Sequence, residues 1–117
     1  MQGKRLDRVN QLIKEEISML LQRELKDPRL GFITVTEVET SQDLRTAKVF
    51  VSVLGDDPQW AASLAALASA RGFVRNWLRN HLDLRITPEL SFRPDRSLEH
   101  AARIQELLKR AEDVSQS

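Results

Sequence analysis

Three arginines recur at intervals of four residues in the segment Leu67–Leu82, LASARGFVRNWLRNHL: Arg71, Arg75 and Arg79. Cations four residues apart on a helix repel one another, so this spacing does not favour an isolated helix. No aspartate or glutamate occurs between Arg71 and Leu82, whereas a face that only confers solubility usually carries both signs. Because a guanidinium group donates in pairs to phosphate oxygens, the spacing favours a phosphate-contacting stripe. A solvated polar face remains the alternative.

The same segment divides into two halves when it is drawn as a helix with about 100° per residue. We expect the apolar half to pack on a sheet, with Trp77 facing the core and His81 at its edge. Replacing each stripe arginine by alanine should then change the free energy of unfolding by no more than about 0.5 kcal/mol. The apolar half consists of Phe73, Val74, Trp77, Leu78, His81 and Leu82, and the polar half consists of Arg71, Arg75, Asn76, Arg79 and Asn80.

Gly72 lies where an alanine-rich helix meets the arginine-bearing one. Glycine inside a helix costs about 1 kcal/mol relative to alanine, so we expect a kink at this position. A side chain at the kink should clash or straighten the bend. Gly72→Val is therefore expected to impair folding more than it weakens any single contact with a ligand.

The remaining pattern predicts an α+β domain in which helix, strand, strand, helix, helix, strand and helix follow one another. In the second strand Ala47, Val49, Val51 and Val53 share one face because side chains alternate along a strand. The two strands before the alanine-rich helix should form an antiparallel hairpin. The predicted elements are a helix from Asp7 to near Leu25, strands at Phe32–Glu39 and Leu44–Leu54, helices at Gln59–Ala70 (N-cap Asp57, Pro58 in the first turn) and Gly72–Leu82, a strand at Thr87–Pro94, and a helix from Ser97 to about Arg110.

Composition favours a soluble, cytoplasmic, single-domain protein: 117 residues, 41% hydrophobic, 30% charged and without cysteine. The longest apolar run, residues 61–68, is far shorter than the roughly 18 residues of a membrane span. The N-terminal segment has no apolar core typical of a secretory signal. We find no nucleophile motif, phosphate-binding glycine loop or zinc-ligand spacing, so the sequence indicates neither an enzyme nor a cofactor or metal.

Four stretches carry a resemblance to a known family: LKDPRLGFITVTEVETSQDLRTAKVFVSVLG, ARGFVRNWL, LRITPELSF and DRSLEHAARIQELL. With these stretches the chain resembles the ribosome-binding factor A family over nearly its whole length. The resemblance implies one KH-like domain of type II order over 1–117, with a core at about 6–110, flexible ends and an added C-terminal helix. It also implies that an Ala-x-Gly kink at Ala70, Arg71 and Gly72 replaces the usual Gly-x-x-Gly loop.

The resemblance further implies the function and the partners. The family binds 16S rRNA within the free 30S ribosomal subunit and promotes late maturation and rRNA processing, with a link to cold adaptation. Other assembly factors or a GTPase are further expected partners, and we expect a monomer without membrane contact. An alternative from the residues alone is a protein-interaction module that docks an acidic partner through the basic helix 71–82.

Other cations are weaker candidates for the same RNA-binding surface. Arg45 and Lys48 point to opposite faces of the second strand by parity, so at most one belongs to any single patch. Trp60 is expected to cap the core and His100 to be solvated. The candidate RNA-binding residues are Arg71, Arg75, Arg79, Arg85, Lys4, Arg5, Arg8, Arg45 and Lys48.

Overall fold

In the part of the chain that the structure describes, four helices and three strands follow one another in the predicted order. The computed structural model describes residues 2–23, 25 and 27–116; residues 1, 24, 26 and 117 of the predicted domain 1–117 lie outside the described residues. The predicted α+β class is confirmed. The elements are α1 (Gln2–Arg23), β1 (Phe32–Thr40), β2 (Thr46–Leu54), α2 (Asp57–Ser69), α3 (Arg71–His81), β3 (Glu89–Pro94) and α4 (Ser97–Gln116).

The three strands form one sheet in the order β1-β2-β3, with β2 in the middle. The β1–β2 hairpin is antiparallel, as predicted, and β3 runs parallel to β2 after the crossover through α2 and α3. The pairing of β1 with β2 contains a bulge between Val35 and Glu37. The alternation in β2 is confirmed, because its four small apolar residues are all buried: Ala47, Val49, Val51 and Val53.

The helices α1, α2 and α3 contact the sheet and enclose the core. Ile13, Ile17 and Leu20 of α1 are fully buried, and their spacing of four and three residues places them on one side of the helix. Val74 and Leu78 of α3 are also fully buried and join the same cluster. These two residues hold the arginine-bearing helix against the sheet.

The limits of α1 differ from the prediction at both ends. The helix begins at Gln2 instead of Asp7, because Leu6 and Val9 continue the apolar spacing and Val9 packs against the core. It ends at Arg23, and the Leu25 N–H donates to the backbone oxygen of Leu20 at 3.2 Å. The predicted basic lead before the helix is therefore part of its first turns.

Two further local predictions were wrong. The N-cap of α2 is Asp56 instead of Asp57: its backbone is extended, and its carboxylate accepts from the Gln59 N–H at 3.0 Å. An N-cap reaches the third residue of its helix in this way, which Asp57, already helical, does not do. Leu44, predicted in β2, lies in the hairpin turn with a φ of 63°, so β2 begins at Thr46.

Helix α4 continues to Gln116 instead of ending near Arg110, and its described side chains are exposed throughout. It is attached to the body at its start through Trp60, which is 2% exposed. The indole N–H of Trp60 donates to Glu99 at 3.0 Å, and the Arg96 guanidinium lies 4.2 Å from the ring centroid. Arg96 also pairs with Asp57 at 3.0 Å, so Trp60 is the centre of the junction between α2 and α4.

Asp95 connects this junction to the sheet. The Thr36 hydroxyl donates to its carboxylate at 2.6 Å and the Ser97 N–H at 2.9 Å. These hydrogen bonds, that of Thr36 first, stabilise the ionised carboxylate and lower the pKa of Asp95 below its ordinary value. The start of α4 is thus joined to β1 as well as to α2.

Candidate nucleic-acid interface

The predicted arginine stripe of α3 is only partly a solvent-exposed face. Arg71 and Arg79 are exposed. Arg75 is half-buried, because its Nη2 and Nε donate to the backbone oxygen of Thr87 at 3.0 and 3.4 Å. This arginine therefore connects α3 to the segment that leads into β3, a structural role that the sequence did not indicate.

Arginines from separate parts of the chain line three adjoining depressions. The first depression lies at the start of α3 and shares Arg75 and Glu89 with a second one at the start of β2. The second shares Ile86 with a third, which lies between the start of α1 and the hairpin turn. We call the combined surface the cationic groove, and its arginines are Arg5, Arg45, Arg71, Arg75 and Arg85.

Two carboxylates also line the cationic groove, Asp43 and Glu89. Asp43 is engaged in the hairpin turn, where it accepts from the Ser41 hydroxyl at 2.6 Å and from the Arg45 N–H at 3.1 Å. The hydroxyl contact, followed by the backbone one, lowers the pKa of Asp43. The Arg45 side chain remains 76% exposed, with its Nε 3.9 Å from Asp43, so its guanidinium can still reach a phosphate.

Four of the sequence-predicted cations do not line the cationic groove. Lys4 and Arg8 are exposed on α1, and Arg79 is exposed on α3 one turn beyond Arg75. Lys48 lies on the sheet face that the helices leave open, opposite the buried residues of β2. Of the two candidates predicted on the second strand, only Arg45, which immediately precedes β2, belongs to the groove.

The helical break lies at Ala70, and Gly72 is already inside α3. Ala70 ends α2 and precedes α3 with φ −87° and ψ 0°, and its side chain makes no capping hydrogen bond. A Cβ atom added to Gly72 would have no heavy atom within 4 Å outside its own helix backbone. The expected clash at Gly72 was therefore wrong, and packing within this chain does not require a glycine there.

The apolar half of α3 also differs from the prediction. Phe73 is 51% exposed and His81 is exposed, while Trp77 is half-buried. The rings of Trp77 and His81 are stacked, with centroids 3.8 Å apart and planes 9° apart. His81 therefore belongs to a surface stack and not to the edge of the core, which Val74 and Leu78 fill with the partly buried Trp77 and Leu82 packed beside them.

The described part of the chain contains neither a metal-binding cluster nor a membrane-spanning helix. In residues 2–23, 25 and 27–116, no group of three or more histidine, aspartate or glutamate side chains could hold a metal ion. No helix within those ranges is long and apolar enough to cross a membrane. His100 is exposed, as expected.

Arg75→Ala is expected to lower the free energy of unfolding by about 1 to 2 kcal/mol, because the Thr87 carbonyl loses a charged donor. Arg79→Ala, the matched change on the same helix, should stay within about 0.5 kcal/mol. Urea unfolding of both variants measures the difference. Equal stabilities would show that the Arg75–Thr87 contact contributes nothing to the fold.

The fold places this chain in the class of KH-like domains, with two helices meeting at a one-residue break on a three-stranded sheet. The Gly-x-x-Gly loop of that class is absent from this break, where Ala70, Arg71 and Gly72 stand. More specifically, the chain belongs to the ribosome-binding factor A family, which its sequence matches over residues 5–108.

Individual relatives agree with this assignment. Ribosome-binding factor A of Halothermothrix orenii is 48% identical over 117 residues, which cover 100% of this chain and 96% of the relative. The crystal structure of ribosome-binding factor A from Thermus thermophilus superposes with a TM-score of 0.68 and 27% identity, over 76% of this chain and 94% of that one. Coordinates of the Thermus thermophilus factor fitted into the cryo-electron microscopy map of its complex with 30S superpose with a TM-score of 0.62 and 29% identity, over 74% and 90% of the two chains.

Proposed function

We propose that this chain is a non-enzymatic ribosome assembly factor that binds the free 30S subunit and promotes late maturation and rRNA processing. In this proposal the whole chain acts as one RNA-binding domain and as a monomer. The cationic groove contacts phosphates of 16S rRNA. The observation that carries the proposal is the convergence of five arginines from distant parts of the chain in one groove, in a member of this family.

The chemistry of the cationic groove suits an RNA backbone better than a base edge. Its cations are all arginines, whose planar guanidinium donates to two phosphate oxygens at once. Phosphate contacts position a protein on RNA without reading its sequence. Recognition of a folded rRNA region by shape and charge follows from such contacts.

Gly72 supports a close approach of the RNA to α3. It lines the same depression as Arg71 and Arg75, and space is open above its Cα. Because glycine in a helix costs up to about 1 kcal/mol relative to alanine, its presence without an internal packing reason favours an external one. We assign that reason to a phosphodiester backbone that passes within contact distance of α3.

Gly72→Ala is therefore expected to leave the melting temperature unchanged or raise it, while weakening binding to 30S subunits. A methyl group meets no protein atom at this site but stands between the helix and the RNA. Thermal unfolding and co-sedimentation of the variant give the two measurements, with Gln105→Ala, an exposed residue of α4 outside the cationic groove, as the control. If Gly72→Ala lowered the melting temperature, Gly72 would have a structural role, and its assignment to an RNA contact would be wrong.

Co-sedimentation with immature 30S subunits, mature 30S subunits, 50S subunits and whole ribosomes tests the proposed function. We expect preferential binding to immature 30S subunits and exclusion from joined ribosomes. Binding should weaken steeply with salt, because phosphate contacts release counterions. Equal binding to 50S subunits would refute the proposal. Binding to an acidic protein with no affinity for ribosomal RNA would favour a protein-docking role for residues 71–82.

Partners beyond the subunit follow from the same proposal. Other assembly factors or a GTPase would act on this chain while it is bound to the 30S subunit. Their addition to the sedimentation assay should change the bound fraction only when subunits are present.

A further inference from the structure

Three ring side chains form a row on the surface of α3, one helical turn apart: Phe73, Trp77 and His81. Trp77 and His81 are stacked at 3.8 Å with planes 9° apart, whereas Phe73 is tilted by 35° with its centroid 6.5 Å from Trp77. We call these three residues the aromatic row. Only its Trp77–His81 part has the parallel geometry of stacked bases.

Hydrogen bonds hold the stack in place without any ligand. The indole N–H of Trp77 donates to the carboxylate of Glu16 on α1 at 2.9 Å. The Nδ1 of His81 lies 2.9 Å from the backbone oxygen of Trp77, which can only accept, so Nδ1 carries the proton. Both rings are therefore preorganised, and a partner that stacks on them loses little additional side-chain freedom.

The imidazole of His81 has one face against Trp77, and the residue is exposed to solvent. Its second face is directed away from the indole and continues the direction of the stack. A planar ring placed there would form a third layer. Stacking on such a face is tolerant of ring identity, because every nucleobase has a π-face.

The aromatic row and the arginines occupy opposite flanks of α3. At about 100° per residue, the buried side of the helix lies between them on the inside. Gly72, Asn76 and Asn80 lie between them on the outside and are exposed. A strand of RNA that crosses this outer ridge can place phosphates at the arginine flank and a base at the aromatic flank.

We infer that the outer face of His81 is a stacking site for an unpaired RNA base, which extends the Trp77–His81 stack. This inference rests on the proposed function, since it assigns a base contact to the same RNA whose phosphates the cationic groove binds. It adds a preference for unpaired nucleotides, because a base inside a duplex has both faces covered. The site still accepts any nucleobase, because stacking does not read the base edge.

Binding of two RNAs tests the site: a single strand of about ten nucleotides and a duplex of about 16 base pairs. His81→Ala should weaken binding of the single strand about 5- to 100-fold, the range of one lost base stack. His81→Phe should stay within about threefold of the parent, whereas His81→Leu, apolar but not aromatic, should resemble His81→Ala. The duplex should bind all four proteins equally.

A fluorescence measurement reports the stack directly. In a Trp60→Phe background Trp77 is the sole tryptophan, and the single strand should change its emission in the parent but not in the His81→Leu variant. Unchanged single-strand affinity of His81→Ala would overturn the inference while leaving the proposed function intact. Failure of the parent to bind either RNA, together with failure to bind 30S subunits, would overturn the proposed function itself.

Phe73→Leu separates base stacking from docking of an apolar protein surface. Phe73 is the most exposed large apolar residue of α3, but it lies outside the parallel stack. Base stacking on His81 predicts that Phe73→Leu binds the single strand as the parent does. If Phe73→Leu and His81→Leu both lost 30S binding while keeping their affinity for the RNA strand, the aromatic row would be a protein-docking surface and the inference would be wrong.

Discussion

Replacing Arg45, Arg71 and Arg85 together by alanine is expected to weaken binding to 30S subunits about 50-fold near physiological salt. Each lost phosphate contact lowers the magnitude of the slope of log affinity against log salt by about 0.7, so three contacts lower it by about 2. All three side chains are exposed and make no side-chain hydrogen bond that supports the core, so the melting temperature should change little. Binding titrations at several salt concentrations measure the slope.

The matched control removes the same charge elsewhere. Arg23, Arg93 and Arg103 are exposed and lie outside the cationic groove, so their triple alanine variant has the same net charge as the test variant. It should keep most of the affinity and most of the salt slope. If both triple variants lost affinity equally, general charge, and not the groove, would account for binding.

Trp60→Ala is expected to lower the free energy of unfolding by about 3 to 5 kcal/mol, the usual range for a buried tryptophan. The change removes a ring that is 2% exposed, takes the indole donor away from Glu99 and leaves that carboxylate with Arg96 alone, and takes away the surface beneath Arg96. The melting temperature should fall by more than about 10 °C. Thermal unfolding followed by circular dichroism gives both quantities.

Trp60→Phe distinguishes the contribution of the buried ring from that of the indole hydrogen bond. It keeps most of the buried surface and loses the indole N–H, so its loss should be about 1 to 2 kcal/mol. Because Trp60 lies at the junction of α2 and α4, trypsin should cleave at Arg103 faster in the alanine variant than in the phenylalanine variant. A loss below about 1 kcal/mol for Trp60→Ala would mean that this junction is not part of the cooperative fold.

The order and type of the elements are determined by local patterns in the sequence. Alternation in β2 places Val49 and Val51 on the buried face whatever surrounds them, because side chains of a strand point alternately to its two faces. The spacing of Ile13, Ile17 and Leu20 likewise defines the buried side of α1. The sequence predicted the ends of the elements less accurately than their order. Asp56 and Asp57 are equally good N-caps by residue type, and only the backbone geometry selects Asp56.

The surfaces of α3 depended on tertiary contacts. Helical periodicity places the aromatic row beside Val74 and Leu78, but the width of the sheet-facing contact decides which rings remain at the surface. A tertiary contact also determines the position of the Arg75 side chain. Its spacing matches that of Arg71 and Arg79, yet the nearby Thr87 carbonyl fixes its side chain. No pattern along the chain reveals that carbonyl, because the contact spans 12 residues and a change of element.

The sequence by itself determined an α+β chain of the ribosome-binding factor A family with arginines on one flank of a helix. Only the tertiary structure brought Arg5, Arg45 and Arg85 to that flank, since each lies on a different segment whose position depends on the packing of the sheet. The physical reason is the range of the interactions. Periodicity and capping act over a few residues, whereas the groove results from long-range strand pairing and helix packing that bury one common core.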